Sequence, residues 1–144
     1  MKTSTLCGSL ILCCLITFAG LAQKHKRRDP CANVLTQFEM NQCAAQEYQR
    51  ADAELNRIYQ QLLSINKEDR QFIANLRVAQ KAWVNFRDAQ MEAVYPAPDT
   101  LAKYGSVFPM CYRLAQKELT IERTKQLKRM LKREEGDVCG WDEH

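Results

Sequence analysis

Histidine is almost absent from this chain, and so are the short motifs that mark common classes of enzyme. The 144 residues contain two histidines, His25 and His144. There is no C-x-x-C pair, no G-x-S-x-G or H-E-x-x-H pattern and no phosphate-binding loop. We therefore expect a protein that is not an enzyme and that binds neither a metal nor a cofactor.

The strongest apolar stretch lies at the start of the chain, in MKTSTLCGSLILCCLITFAGLAQ, which carries a lysine before its apolar run. The run ends in small residues, Ala19, Gly20 and Ala22. This composition is typical of a secretory signal peptide, residues 1–22, cleaved after Ala22. A retained membrane anchor is the alternative, but the block at 10–22 is short for a span of about 20 residues. We expect a secreted or periplasmic protein.

Cleavage at that point would leave four cysteines, Cys31, Cys43, Cys111 and Cys139. An even number of cysteines in an exported chain favours disulfide bonds, although four cysteines allow three pairings. A structural metal site is the alternative. The absence of C-x-x-C spacing and the terminal positions of the histidines count against it.

The basic excess of the chain comes from one short segment, KHKRR at 24–28. From Gln23 onward there are 20 basic and 17 acidic residues, whereas from Asp29 onward there are 16 and 17. A domain so close to neutrality is not expected to bind nucleic acid. We assign 23–35 as a basic N-terminal arm that is a solubilising terminal segment, with a flexible arm or a processing site as the alternatives.

Hydrophobic periodicity predicts three long helices and no strand. The sequence TQFE at 36–39 is a capping box, so the first helix should begin there and run to about Ile65. Asn66 is expected both to end this helix and to cap the second, over about 68–94. The first stripe is Phe38, Ala45, Tyr48, Ala51, Leu55, Ile58, Leu62 and Ile65. The second is Phe72, Leu76, Ala79, Trp83, Phe86 and Gln90.

Segment 95–108 contains two prolines and Gly105, and it is predicted to be a loop with a short turn near Leu101. Pro109 suits the first position of the third helix, and Gly136 suits its end. The third stripe is Met110, Leu114, Leu119, Leu127, Met130 and Leu131.

The predicted fold is all-α. It is an antiparallel three-helix bundle over 36–134, stabilised by a disulfide and followed by an acidic C-terminal tail at 135–144.

Several polar residues lie in or beside these stripes, where a bundle buries side chains. They are Asn41, Asp52, Asn56, Arg87 and Arg123. A buried polar group without a partner costs about 1–3 kcal/mol. At about 1.5 Å per residue, Asp52 lies about 24 Å up the first helix and Arg123 about 21 Å up the third. We predict that these two pair near Asn56 and that Arg87 reaches Asn41 or Tyr48. A structural polar core is expected, with a binding site as the alternative.

An ordered set of short motifs runs along 31–131. It begins with Cys31 and Cys43 at C-x11-C spacing and QFEMNQCA at 37–44. It continues with Tyr48, ADAELN at 51–56, Tyr59, AQ at 79–80, AW at 82–83, FRD at 86–88, GS at 105–106, PM at 109–110, LT at 119–120, Arg123 and Leu127. In this order the motifs resemble the N-terminal-domain family of the LprI-type lysozyme inhibitors.

The resemblance implies an exported helical domain and, from the family name, inhibition of lysozyme. It also implies a disulfide between Cys31 and Cys43. The chain departs from the family pattern at Met91 and Ala115, which stand where the family has its second cysteine pair. The joint absence of both partners suits the loss of one disulfide.

Cys111 and Cys139 are then left over. Cys111 opens the third helix and Cys139 follows its end. A straight helix from 111 to 134 spans about 35 Å. A disulfide needs Cα atoms within about 7 Å. We expect these two cysteines to be unpaired or to link two chains in a dimer.

Two segments are candidates for contact with a partner, lysozyme or another secreted protein. An inhibitor needs a protruding element that complements the acidic cleft of the enzyme. One candidate is the loop with Lys103, Tyr104, Gly105 and Ser106, and the other is the acidic tail with Asp137 and Trp141. An ordinary connector and a frayed terminus are the respective alternatives. The expected function is that of a small exported binding protein that occludes lysozyme.

Residues 113–133 carry eight basic and two acidic residues, which counts against binding to a basic enzyme such as lysozyme. A membrane-surface-active basic helix is therefore an alternative function, although membrane binding is not the expectation because the apolar side of this helix should be buried in the bundle. An envelope or secreted interaction module with an unknown partner is a further alternative.

Overall fold

The computed structural model of the protein describes Cys31 and residues 34–132. These residues form α1 (Gln37–Ile65), α2 (Arg70–Val94), α3 (Thr100–Tyr104), a 3-10 turn (Gly105–Val107) and α4 (Phe108–Lys132). Within that part of the chain there is no strand, and the predicted all-α class with three long helices is confirmed. The predicted signal peptide at 1–22 and the acidic tail at 135–144 lie outside the described residues.

The start of α1 has the capping box that the sequence predicts. The Thr36 hydroxyl accepts a hydrogen bond from the Glu39 backbone N–H at 3.2 Å, and the Glu39 carboxylate accepts one from the Thr36 N–H at 2.9 Å. The backbone N–H groups of Thr36 and Leu35 lower the pKa of Glu39, because they favour its charged form. Both orphan donors at this helix end are thereby satisfied.

The connection between α1 and α2 differs from its prediction in one respect. Asn66 ends α1, with its backbone N–H bonded to the Leu62 carbonyl at 3.3 Å. The N-cap of α2 is Asp69, whose carboxylate accepts from the Phe72 N–H at 2.9 Å. Asn66 therefore caps only the first of the two helices. The reason is that the turn after it extends to Asp69, which places α2 two residues later than predicted.

The apolar core lies where the three long helices meet. Its buried members are Leu55, Ile58 and Leu62 of α1, Leu76 of α2 and Leu127 of α4. Tyr59, Leu63, Phe72, Trp83, Met130 and Leu131 pack around them. The most extensive helix contact is between α1 and α4, and α2 contacts α4 over a smaller area. Five residues of the predicted stripes are thus in the core, whereas Ala79, near the middle of the α2 stripe, is exposed.

Several apolar residues of the predicted stripes are exposed. Phe38 and Ile65, at the two ends of the α1 stripe, are 69% and 60% exposed, and Phe86 of α2 is 54% exposed. These predictions of buried positions are wrong. Apolar spacing shows which side of a helix is apolar, but it does not show how far along that side a neighbouring helix packs. α2 is packed less extensively by its neighbours than α1 is.

The buried face of α4 is mostly polar. Gln116, Thr120 and Thr124 are buried, whereas Leu114 of the predicted stripe is at the surface. The Thr120 and Thr124 hydroxyls donate to the backbone carbonyls of Gln116 and Thr120, each at 2.8 Å. Because each hydroxyl is satisfied within its own helix, these residues can be buried without a partner on another helix.

Candidate functional site

The Cys31–Cys43 disulfide joins the segment before α1 to the second turn of that helix. The two Cα atoms are 5.8 Å apart, and Cys43 is buried. The pairing implied by the family resemblance is therefore confirmed. The bond holds the entry to α1 against the helix and places Cys31 and Val34 at one wall of a groove.

The predicted partner-binding loop is anchored by four aromatic rings, which we call the aromatic cluster: Tyr95, Tyr104, Phe108 and Tyr112. The ring of Tyr95 lies 5.5 Å from Tyr104, 5.2 Å from Phe108 and 5.9 Å from Tyr112, between centroids. Burial raises the pKa of Tyr95. The cluster holds the end of α2, the loop and the start of α4 together, so the loop is a fixed surface.

The aromatic cluster was missed by the sequence reasoning. A signal for it was available, because Tyr104, Phe108 and Tyr112 recur every four residues across the start of the third helix. The predicted short turn near Leu101 is α3, whose N-cap is Asp99. The Asp99 carboxylate accepts a hydrogen bond from the Ala102 N–H at 2.9 Å.

Three of the four predicted loop residues are exposed: Lys103, Gly105 and Ser106, whereas Tyr104 is half-buried in the aromatic cluster. Gly105 has φ of +71° and ψ of −169°, a backbone conformation that favours glycine. A Cβ built there would meet no atom within 4 Å, so glycine is needed for its backbone freedom and not for space. The tight change of direction presents Lys103 and Ser106 on the surface.

Asn41 connects this loop to α1. Its Nδ2 donates to the Ser106 carbonyl oxygen at 3.0 Å, and its Oδ1 accepts from Gln37 Nε2 at 2.9 Å. The side chain therefore acts as a link between α1 and the loop. Arg87, which was expected to reach Asn41 or Tyr48, pairs with acidic residues and stacks on a tryptophan. Burial raises the pKa of Tyr48, and the charge of Arg87 opposes that rise, so Arg87 lies near Tyr48 without a hydrogen bond to it among the described contacts.

The polar side chains Asp52, Asn56 and Asp88 form a cluster around one cation, Arg87. Its Nη1 lies 3.8 Å from Asp52 Oδ1, its Nη2 lies 2.8 Å from Asp88 Oδ1, and its guanidinium carbon lies 5.4 Å from the Trp83 ring centroid. Asp52 also accepts a hydrogen bond from Asn56 Nδ2 at 2.9 Å. Asp52 and Asn56 are thus together as predicted, but their arginine comes from α2.

The predicted Asp52–Arg123 pair is wrong. Arg123 Nε donates to Gln80 Oε1 at 3.1 Å, and its Nη1 donates to Gln126 Oε1 at 3.0 Å. The prediction took Arg123 to point with the core residues Leu119 and Leu127, from which it is four residues away on either side. Because α4 turns Thr120, Thr124 and Leu127 inward, Arg123 is rotated away from α1 and faces α2.

Beside the disulfide and the loop lies an apolar depression of about 260 Å³, which we call the methionine groove. It is lined by Cys31, Val34, Met40, Ala44, Glu47, Met110, Leu114 and Lys117. Its walls come from the start of α1 and the start of α4. Methionine side chains adapt to irregular partners, and a groove with one acidic and one basic residue at its edge is suited to a protein surface.

Three of the basic side chains of α4 that were considered for membrane contact, Lys117, Lys125 and Lys128, have acidic neighbours. Lys128 Nζ lies 2.7 Å from Glu54 of α1, and Lys125 Nζ lies 2.7 Å from Glu122. Hydrogen bonds from Arg57 and from Lys128 lower the pKa of Glu54 to about 2. The described residues include no helix that is both long and apolar enough to cross a membrane.

Among the described residues, the remaining predicted site residue Cys111 does not line the groove. Cys111 is half-buried and has no disulfide partner among the residues that the structure describes. Cys139, Asp137 and Trp141 lie outside the described residues, so their predicted roles stay predictions. Residues 34–132 and Cys31 contain no group of three or more side chains suited to hold a metal ion.

Comparison with known proteins agrees with the motif order. The family described as "Lysozyme inhibitor LprI" matches residues 29–127. A protein of Rhizobium meliloti (strain 1021), described as uncharacterized, is 30% identical over 142 residues, which cover 91% of this chain and 96% of that protein. No solved structure matches the chain significantly. The match over most of the chain shows that it belongs to the LprI lysozyme inhibitor family.

Proposed function

We propose that this chain is an exported binding protein that inhibits lysozyme by occluding the enzyme. The observation that supports this most is the family match over residues 29–127, which includes both the loop and the methionine groove. The proposal includes cleavage after Ala22 and export to the periplasm or the medium. It also includes an antiparallel course of the three long helices, which would place the starts of α1 and α4 at one end.

We propose that the contact surface consists of the loop Lys103–Ser106 and the methionine groove. Asn41, next in sequence to the groove residue Met40, donates to the Ser106 carbonyl of the loop. Leu35, next to the groove residue Val34 in sequence, is 90% exposed. Exposed apolar side chains beside a groove are a common feature of surfaces that bind proteins. A rigid loop also loses little conformational entropy on binding.

Lys103 is the residue of this surface that we expect to enter the cleft of the enzyme. It is exposed, in the last turn of α3, and has no ion pair within the described structure. Lysozymes cleave their substrate with a pair of carboxyl groups, so their cleft is acidic. A lysine on a fixed loop complements that charge.

The test uses the oxidised chain from Gln23 onward and follows lysis of bacterial cell walls by an animal-type lysozyme. Stoichiometric inhibition is the expected result. Circular dichroism on the same sample establishes that the protein is helical. Complete lysis in the presence of a large excess of folded protein would contradict the proposal, and a pull-down from envelope and secreted fractions would then identify the partner.

A charge reversal tests the contact surface. Lys103→Glu should weaken inhibition at least about tenfold, because it places a carboxylate against an acidic cleft. Lys81→Glu is the matched control, since Lys81 is an exposed lysine of α2 without an ion pair in the described structure. Equal weakening by both substitutions would show a general effect of net charge and would remove the loop from the proposed surface.

A further inference from the structure

A second pocket of about 280 Å³ lies between α2 and α4. It is lined by Phe72, Asn75, Leu76, Ala79, Arg123 and Met130. None of these residues belongs to the loop or to the methionine groove. At this place α2 and α4 face each other, and α2 packs less closely on α4 than α1 does.

Arg123 brings a positive charge to this apolar pocket without an acidic partner in the described part of the chain. Both of its protein acceptors are neutral amides, Gln80 Oε1 at 3.1 Å and Gln126 Oε1 at 3.0 Å. Burial lowers the pKa of Arg123. A guanidinium has five N–H donors, so donors beyond those two bonds remain for a ligand.

Arg57 and Arg87 differ in this respect because each has a carboxylate partner, whereas half-buried Arg113 donates to the Gln116 amide and lies over the Tyr48 ring. Arg57 Nε lies 2.7 Å from Glu54 Oε2, and Arg87 Nη2 lies 2.8 Å from Asp88 Oδ1. Partly buried charges in proteins are normally paired, because removal from water disfavours an isolated charge. Arg123 is therefore a half-buried cation whose charge a bound anion would neutralise.

We propose that this pocket binds a monocarboxylate with a short aliphatic tail. The carboxylate would accept two N–H bonds from Arg123, the geometry that a guanidinium favours. The tail would lie against Phe72, Leu76 and Met130 and lose its contact with water. The pocket, of about 280 Å³, has room for a tail of several carbons.

Sodium octanoate is the probe, titrated calorimetrically into the oxidised chain from Gln23 onward. We expect saturable binding. Acetate lacks the tail and 1-octanol lacks the charge, so each should bind at least about tenfold more weakly than octanoate. Absence of octanoate binding in the millimolar range, or equal binding of octanoate and 1-octanol, would overturn the proposal.

Two variants test the location. Arg123→Gln removes the cation and Ala79→Phe fills the pocket, and each should reduce octanoate affinity at least about tenfold. Arg77→Gln is the matched control, because Arg77 is an exposed arginine of α2 that does not line the pocket. Octanoate affinity that is unchanged in folded Ala79→Phe would overturn the assignment, even if Arg123→Gln failed to fold.

Discussion

α1 and α4 form the most extensive helix contact of the molecule, yet they bury different chemistry. α1 contributes Leu55, Ile58 and Leu62, whereas α4 contributes Leu127 and a row of three polar residues, Gln116, Thr120 and Thr124. Apolar periodicity finds the inner face of α1 but not that of α4. The difference teaches that a threonine whose hydroxyl is satisfied by its own helix behaves as a small core residue.

The starts of the same two helices are also held differently. A covalent bond between Cys31 and Cys43 holds the start of α1. The start of α4 is held by the rings of the aromatic cluster, with Phe108 and Tyr112 5.5 Å apart. Both devices fix the surface that we propose to contact lysozyme, but only the first depends on an oxidising compartment.

The largest effect is expected in the apolar part of the contact. Leu62 is 0% exposed, and Leu62→Ala should lower the free energy of unfolding by about 2–5 kcal/mol, through lost burial and a cavity. Urea denaturation measures this. Ile65→Ala, on the same helix and largely exposed, should change the free energy by less than about 1 kcal/mol. If both variants lost a similar free energy of unfolding, Leu62 would not be a core residue.

Removal of the disulfide should have the next largest effect. The paired variant Cys31→Ser and Cys43→Ser opens a loop with a sequence separation of 12. We expect a loss of about 2–3 kcal/mol in the free energy of unfolding, from increased entropy of the unfolded chain. Cys111→Ser is the control, and it should change stability little, since Cys111 forms no disulfide within the described residues. If the double variant were as stable as the original protein, contacts other than the disulfide would hold the start of α1.

The polar face of α4 should tolerate loss of a hydroxyl better than loss of a methyl group. Thr120→Val keeps the shape and removes only a bond within the helix, so the free energy of unfolding should change by less than about 1 kcal/mol. Thr120→Ser keeps the hydroxyl but leaves a void, and it should lose about 1 kcal/mol. The reverse order, measured by urea denaturation, would mean that the hydroxyl has a partner across the helix contact.

The smallest effect concerns the ion pair between the two helices. The pKa of Glu54 is lowered to about 2 by Arg57 and then by Lys128, so its contribution to stability is present above its ordinary pKa of 4.5 and is lost as the pH falls from there towards 2. Because its side chain is 37% exposed, solvent screening limits the contribution to less than about 1 kcal/mol.

Glu54→Gln provides the measurement. The stability difference between the original protein and this variant should shrink on acidification through that range. Glu92→Gln, an exposed residue without an ion pair in the described structure, should show no such trend. A constant difference across the range would show that Glu54 contributes through packing and not through charge.

Much of the fold could be predicted because its signals are local. The Thr36–Glu39 capping box, the Leu55-Ile58-Leu62 stripe and the break after Val94 each depend on a few neighbouring residues. The candidate site was predicted less well. The loop residues Lys103 and Ser106 are exposed as expected, but the aromatic cluster that holds them depends on contacts between α2, the loop and α4.

The sequence by itself determined the helical class, the ends of α1 and the family, because periodicity, caps and motif order are properties of the chain. The tertiary structure alone decided that Arg87 and not Arg123 meets Asp52. The physical reason is rotation: each residue turns a helix by about 100°. An error of one residue in assigning the buried face therefore directs a side chain towards a different helix. Only the packing between helices determines which face is buried.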